Sequence, residues 1–71
     1  MRKKIKIVKM AAQLQALRNA QDSDMSHKVS YETMDSYHII THTDDGTVIL
    51  QLRSFDTNIE RWLESEIEFW S

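Results

Sequence analysis

The chain contains a single glycine, Gly46, in the middle of the segment YHIITHTDDGTVILQLRSF, residues 37–55. Runs rich in β-branched and apolar residues lie on both sides of Asp44-Asp45-Gly46. Asp-Gly favours a two-residue hairpin turn, because both central residues of that turn need positive φ. The segment therefore predicts a β-hairpin, and it restricts the rest of the fold to elements that can cover a small sheet.

The length of the turn decides which side chains of the hairpin share a face. A two-residue turn at Asp45-Gly46 pairs Asp44 with Thr47, and its apolar face consists of Tyr37, Ile39, Val48, Leu50 and Leu52. The opposite face then consists of His38, Ile40, His42, Ile49, Gln51 and Arg53. A three-residue turn with a glycine bulge shifts the pairing by one and places Ile40 and the histidines beside Leu50. We adopt the two-residue turn because it gives the cleaner apolar face, and the second register stays open.

Helical periodicity marks both ends of the chain. Near the N-terminus the apolar stripe Ile7, Met10, Leu14 and Leu17 predicts a helix over about residues 5–21, although the alternation in Lys4–Val8 leaves a short strand open. Near the C-terminus we expect a helix capped by Asp56 or Thr57, with Thr57 and Glu60 forming a capping box. The alternating segment Lys28–Thr33 predicts a further strand.

The order of these elements predicts a small single α+β domain over residues 1–71. We expect α-β-β-β-α: a three-stranded antiparallel meander with the N- and C-terminal helices packed on its Leu50 face. Residues 1–4 form a basic arm that need not be ordered. The predicted core consists of Leu14, Leu17, Val48, Leu50, Leu52, Ile59, Trp62 and Leu63.

Several classes of chemistry lack the residues they need. Without cysteine there is no disulfide, thiolate nucleophile or zinc finger, and one glycine cannot build a phosphate-binding loop. His38 and His42 lie roughly 13 Å apart along a strand, too far to share one ion unaided, although His27 could join one of them. No serine lies in a Gly-x-Ser-x-Gly motif. We expect no enzymatic activity, no cofactor and no metal.

Charge is distributed unevenly along the chain, whose net charge is −2. The N-terminal segment is purely basic and the remainder is predominantly acidic. No apolar run approaches the roughly 18 residues of a membrane span. Because Lys6 and Lys9 interrupt the segment that would form the centre of a signal peptide, we expect a cytoplasmic protein.

The basic arm supports one functional hypothesis, a small regulatory protein that binds nucleic acid through Arg2, Lys3, Lys4 and Lys6. The hairpin followed by Phe55, Thr57, Trp62 and Leu63 resembles the three-stranded arm-binding domains of tyrosine recombinases, and this resemblance implies DNA binding by the sheet. That family has a basic sheet, whereas this sheet offers Arg53. The same segment is similar to the hairpin and helix of small phage head-completion proteins. We expect weak or non-specific nucleic-acid binding at most.

The C-terminal helix supports a second hypothesis, which we prefer. Glu60, Glu64 and Glu68 recur every four residues and could imitate phosphates toward a basic partner, while Phe69 or Trp70 should be exposed for contact. Ile40 and Ile49, with His38, His42 and Arg53, would form an apolar strip on the open sheet face, suited to a target or to a second copy. We therefore expect stoichiometric binding to a larger protein or complex. In size and composition the chain resembles small phage or mobile-element inhibitors of the anti-CRISPR and anti-restriction type, which act in the bacterial cytoplasm.

Overall fold

A computed structural model of the protein describes the backbone of residues 2–71 and the side chains of residues 5–71. Its elements follow the order α1 (Arg2–Gln21), β1 (His27–Met34), β2 (Tyr37–Asp44), β3 (Thr47–Ser54) and α2 (Asp56–Trp70). The predicted α-β-β-β-α order and the α+β class are confirmed. Helix α1 runs through Lys4–Val8, so the alternative of a strand there is wrong, and residues 2–4 continue the helix.

The three strands form one antiparallel sheet in the order β1-β2-β3. Two-residue turns join the strands, Asp35-Ser36 in the first hairpin and Asp45-Gly46 in the second. Asp45 and Gly46 have φ values of 51° and 86°, and Asp44 pairs with Thr47. Positive φ at both central residues is the geometry that Asp-Gly favours, so the predicted two-residue turn is confirmed.

A β-bulge lies next to that turn and changes the faces of the hairpin. Thr43 pairs with Val48, whereas His42, the residue before Thr43, pairs with Leu50. Ile49 is therefore an extra residue on β3, and the pairing is shifted by one from this point to the far end of the strands. Each of the two predicted registers is therefore partly right. The two-residue turn is present, and the one-residue shift predicted for the longer turn occurs beyond Thr43, two residues from the turn.

The shift reverses the predicted side of the histidines. Ile40 pairs with Leu52, and His38 pairs with Ser54. Since paired residues point to the same side of a sheet, His38, Ile40 and His42 share the face of Leu50 and Leu52. The prediction that Ile40 and the histidines lie on an open face is wrong.

Both helices pack on this face and enclose one core. The buried apolar side chains are Ile7, Met10, Ala11, Leu14, Val29, Ile40, Ile59 and Leu63. Leu52 and Trp62 are partly buried against this cluster, and Leu17 is half-buried. Val48 and Leu50, which the sequence placed in the core, are 56% and 36% exposed. Val48 pairs with Thr43 and therefore lies on the face away from the helices. Leu50 faces the helices, but these lie mainly over β1 and β2.

The opposite face of the sheet carries no helix among the described residues. Ile39 is nevertheless buried there, between its cross-strand partners Glu32 and Arg53. At the same side Tyr37 stacks on Phe55 with 5.2 Å between ring centroids. The Arg53 guanidinium lies 5.0 Å from the centre of the Tyr37 ring. This face is therefore covered by its own long side chains.

Helix α2 begins without the predicted cap. Its N-cap residue is Phe55, which offers no side-chain hydrogen bond, so the capping box of Thr57 and Glu60 is wrong. Within the first turn the Asp56 carboxylate accepts a hydrogen bond from the Thr57 N–H at 2.8 Å. An acidic residue at this end of a helix is favourable because the helix dipole is positive there.

The C-terminal ends of the two helices lie together. The Arg18 guanidinium of α1 lies 3.9 Å from the centre of the Trp70 ring, and the Gln21 side-chain amide donates to the Trp70 carbonyl. These contacts fix α1 against α2 and keep the core closed at that end. No helix in the part of the chain described is both long and apolar enough to span a bilayer.

Candidate functional site

Helix α2 carries the acidic ridge, which we define as Glu60, Glu64 and Glu68. The three residues are spaced by four positions and follow one side of the helix, about 6 Å apart along its axis. Glu64 and Glu68 are exposed and Glu60 is half-buried. Among the side chains that the structure describes, no lysine or arginine lies within ion-pairing distance of the ridge. Arg61 lies beside the ridge on the same helix but forms no ion pair with it, so the three carboxylates stay available to a partner.

An exposed aromatic ring lies next to the ridge. Phe69 is 74% exposed, and it borders a shallow depression together with Ser65 and Glu68. Its ring meets that of Trp70 edge to face at 5.0 Å. The prediction that one of these two aromatics is exposed is confirmed for Phe69, whereas Trp70 is half-buried against the core and under Arg18.

The largest departure from the sequence predictions is a buried histidine pair. His27 and His42 are each 3% exposed, and His27 Nδ1 lies 3.0 Å from His42 Nε2. Asp22 Oδ2 lies 3.4 Å from His27 Nε2, on the far side of that ring. If Nε2 of His27 carries the proton toward Asp22, then His27 Nδ1 accepts the hydrogen bond that His42 Nε2–H donates.

The surroundings of His42 favour its neutral imidazole. Burial lowers the pKa of His42, the charges of Arg18 and His27 lower it further, and only Asp44 acts in the opposite direction. Among the described residues, no three His, Cys, Asp or Glu side chains are grouped so that they could hold a metal ion. The pair therefore acts as a hydrogen-bonded part of the core.

The pairing of β1 with β2 explains why His27 and His42 lie close together. His27 is opposite Asp44 and Val29 is opposite His42, so the two histidines are diagonal neighbours on one face of β1 and β2. A tight turn at Asp35-Ser36 gives this pairing directly.

The third histidine, His38, also faces the helices. Its Nδ1 is hydrogen-bonded to the Tyr31 hydroxyl, and the two rings stack with centroids 5.6 Å apart. Burial raises the pKa of Tyr31, and the Asp56 carboxylate raises it further, so this hydroxyl stays protonated. His38 is half-buried in this contact, which identifies it as a packing residue.

The predicted partner-binding residues do not form one surface. Ile40 and His42 lie in the core, and Arg53 points to the opposite face of the sheet. Ile49 is exposed at the bulge, away from α2. The acidic ridge and Phe69 are the members of the predicted set that share one accessible region.

The basic residues of the nucleic-acid hypothesis are only partly described. The side chains of Arg2, Lys3 and Lys4 lie outside the described residues, and Lys6 is exposed on α1. The sheet, which carries DNA contacts in the recombinase domains, contributes Arg53 from β3 and Lys28 from β1.

Comparison of the chain with models of known families, with curated proteins and with solved structures gives no match.

Proposed function

We propose that this protein acts by stoichiometric binding to a larger protein, and that the acidic ridge contacts a basic surface of that partner. The observation that supports the proposal is the row of Glu60, Glu64 and Glu68 on successive turns of α2, with no described lysine or arginine within ion-pairing distance of them. A row of like charges held on a rigid helix attracts an oppositely charged surface over a distance of about a Debye length.

Phe69 supplies the apolar part of this contact. Exposed charges mainly steer association and select the partner, whereas a desolvated aromatic side chain contributes more to affinity. Phe69 follows Glu68 directly and is exposed beside it. The combination of a charged row and one exposed ring is suited to protein recognition.

The charge pattern also suggests what kind of partner is bound. Evenly spaced carboxylates can occupy a basic channel that otherwise holds a phosphate backbone. We therefore extend the proposal to inhibition of a nucleic-acid-handling protein, of the type encoded by phages and mobile elements. In that case duplex DNA or heparin should compete with this protein for the same partner.

Affinity capture with a neutralised ridge tests the proposal. The double variant Glu64→Gln/Glu68→Gln should lose a partner that the wild-type chain captures from bacterial lysate, and the wild-type capture should weaken with increasing salt. The matched control is Asp24→Asn/Glu32→Gln, which removes the same charge from exposed positions away from α2. Equal capture by the ridge variant and the control would contradict the proposal.

A further inference from the structure

The two outer edges of the sheet differ in how their main-chain groups are satisfied. At the β1 edge, the His27 N–H donates to Asn19 Oδ1 at 2.7 Å, and Asn19 Nδ2 donates to the His27 carbonyl at 3.0 Å. The Val29 N–H donates to Gln15 Oε1 at 2.9 Å. Side-chain amides of α1 therefore occupy the His27–Val29 half of this edge and exclude another strand there.

The β3 edge has outward main-chain groups without such partners. Because His27 and Val29 direct their main-chain groups away from β2, their partners Asp44 and His42 direct theirs toward β3, as does every second residue of β2. The residues of β3 between those partners, Gln51 and Arg53, therefore direct their N–H and C=O groups outward. Among the described residues, no hydrogen bond reaches these groups from outside the sheet.

The free edge has only weak protection against strand addition. Natural edge strands are commonly protected by charges, proline or a bulge. Within β3 the sole charged residue is Arg53 and there is no proline. The bulge is confined to Ile49, close to the turn, so the segment from Leu50 to Ser54 pairs regularly.

An apolar stripe of α2 borders the same edge. The Asn58 side-chain amide donates to Ser54 Oγ of β3 at 3.0 Å, which shows that this flank of α2 faces β3. Trp62, Ser65 and Phe69 follow at intervals of four, three and four residues and so continue that flank. Trp62 and Phe69 are the apolar members of this stripe, and Glu66, four residues after Trp62, lies beside it on the helix. The acidic ridge lies on another side of the helix.

We propose that a second copy of this chain adds its own β3, antiparallel, to the free edge of β3, so that the two sheets become one sheet of six strands. A twofold axis at Leu52 pairs Gln51 with Arg53 of the second copy, and these are the residues whose main-chain groups point outward. The pairing stays within the regular part of the strand.

The side chains that this axis brings together are complementary. The two copies of Leu52 face each other on the helix side, beside the apolar stripes of both α2 helices. On the other side, Arg53 lies beside the neutral Gln51 of the second copy. The glutamates of the acidic ridge stay outside the contact, so the dimer presents two ridges to solvent.

The area needed for such a dimer is available. A stable interface buries about 800 Å² on each partner, which is roughly one sixth of the 4927 Å² accessible surface of the chain. Leu50, which is 36% exposed, lies along the edge, and the half-buried Trp62 lies along the stripe. Their burial would supply the apolar contribution that a small domain without disulfides lacks.

Sedimentation equilibrium of the purified chain tests the proposal without any other protein. We expect a reversible dimer with a dissociation constant below about 100 μM. The Gln51 and Arg53 amides should exchange hydrogen slowly in the dimer and rapidly after dilution to the monomer. A monomeric mass throughout this range would overturn the proposal. Since no partner is present, this result is independent of the function of the acidic ridge.

A proline at the free edge gives a matched pair of variants. Gln51→Pro removes an outward N–H without removing a bond to β2, and it should raise the dimer dissociation constant at least about tenfold. Gln51→Ala removes the same side chain, including its 3.1 Å bond to Thr41 Oγ1, but keeps the N–H. It should dimerise like the wild-type chain. A dimer that resists Gln51→Pro would overturn the proposal.

Cross-linking tests the twofold axis. Opposed residues at a non-hydrogen-bonded position have α-carbons about 4.5 Å apart, within the range that a disulfide spans. Because the chain has no cysteine, Leu52→Cys should form one defined covalent dimer on mild oxidation. Met34→Cys, exposed at the far end of β1, should not. A reversible dimer in which Leu52→Cys fails to cross-link would overturn the Leu52 pairing.

Discussion

At the scale of single residues, Ile40 and Ile49 show how the bulge separates two similar positions. Ile40 is fully buried between the helices and the sheet, whereas Ile49 is 52% exposed. We expect Ile40→Ala to lower the free energy of unfolding by about 2–5 kcal/mol, and Ile49→Ala to change it by about 0.5 kcal/mol or less. Urea unfolding of both variants measures the difference. Equal effects would show that the pairing beyond the bulge is not the one described.

The buried histidine pair predicts how stability depends on pH. Burial, Arg18 and His27 lower the pKa of His42 in the folded state, so the unfolded chain binds a proton more readily. Stability should therefore be fully present above about pH 6.5, the ordinary pKa of histidine. It should fall as the pH decreases through that value and level off below the folded-state pKa.

Unfolding at a series of pH values and an NMR titration measure this behaviour. The His42 ring should titrate below the ordinary value, and His42→Gln should flatten the decline in stability. His38→Gln is the control, since His38 lies outside the buried pair and its replacement should leave the decline in place. A decline that persists in His42→Gln would exclude the pair as its cause.

At the scale of elements, the contact between α1 and the β1 edge predicts a role for one amide. Asn19 satisfies both the N–H and the C=O of His27. Asn19→Leu leaves two partly buried main-chain groups without partners, and we expect a loss of about 1–3 kcal/mol in unfolding free energy. Gln13→Leu, at an exposed position of the same helix, should have little effect. Thermal unfolding of both variants measures the difference. Equal melting temperatures for the two variants would contradict this role of Asn19.

The same elements show what the sequence could predict. Periodicity identified both helices because local spacing alone defines an apolar stripe, as it does for Ile7, Met10 and Leu14. Asp45-Gly46 identified the tight turn because few other residues adopt its backbone conformation. These features depend on residues close together in the chain.

The sheet faces and the site depended on tertiary contacts and were predicted less well. A single extra residue, Ile49, reverses the sides of residues 38–42 of β2 relative to β3, and no residue type in the sequence predicts this bulge. The pairing of His27 with His42 needs the register of another hairpin. The exposure of Phe69 and the acidic ridge were predictable, because both depend only on how residues are spaced around a single helix.

At the scale of the whole molecule, the surface is divided by charge and by hydrogen bonding. Gln15 and Asn19 of α1 cover the His27–Val29 part of one sheet edge, whereas β3 leaves the other edge free. The acidic ridge lies on α2, and the basic residues concentrate at the start of α1. The molecule therefore has a free strand edge for self-association and an acidic ridge for an oppositely charged partner, and Phe69 lies between them.

This charge distribution predicts poor binding to nucleic acid. The net charge of −2 repels phosphate, and five basic residues in the first nine supply only a salt-sensitive attraction. In a fluorescence anisotropy titration, duplex DNA should bind weakly or not at all at about 150 mM salt, with equal affinity for unrelated sequences.

At lower salt, log K should fall with log salt with a slope no steeper than about −4.5, since each neutralised phosphate contributes about −0.9. Lys6→Gln/Lys9→Gln should reduce that slope by about 2, whereas the exposed Lys28→Gln should leave it unchanged. Sub-micromolar, sequence-selective binding at 150 mM salt would instead support a nucleic-acid-binding protein and contradict a function based on the acidic ridge.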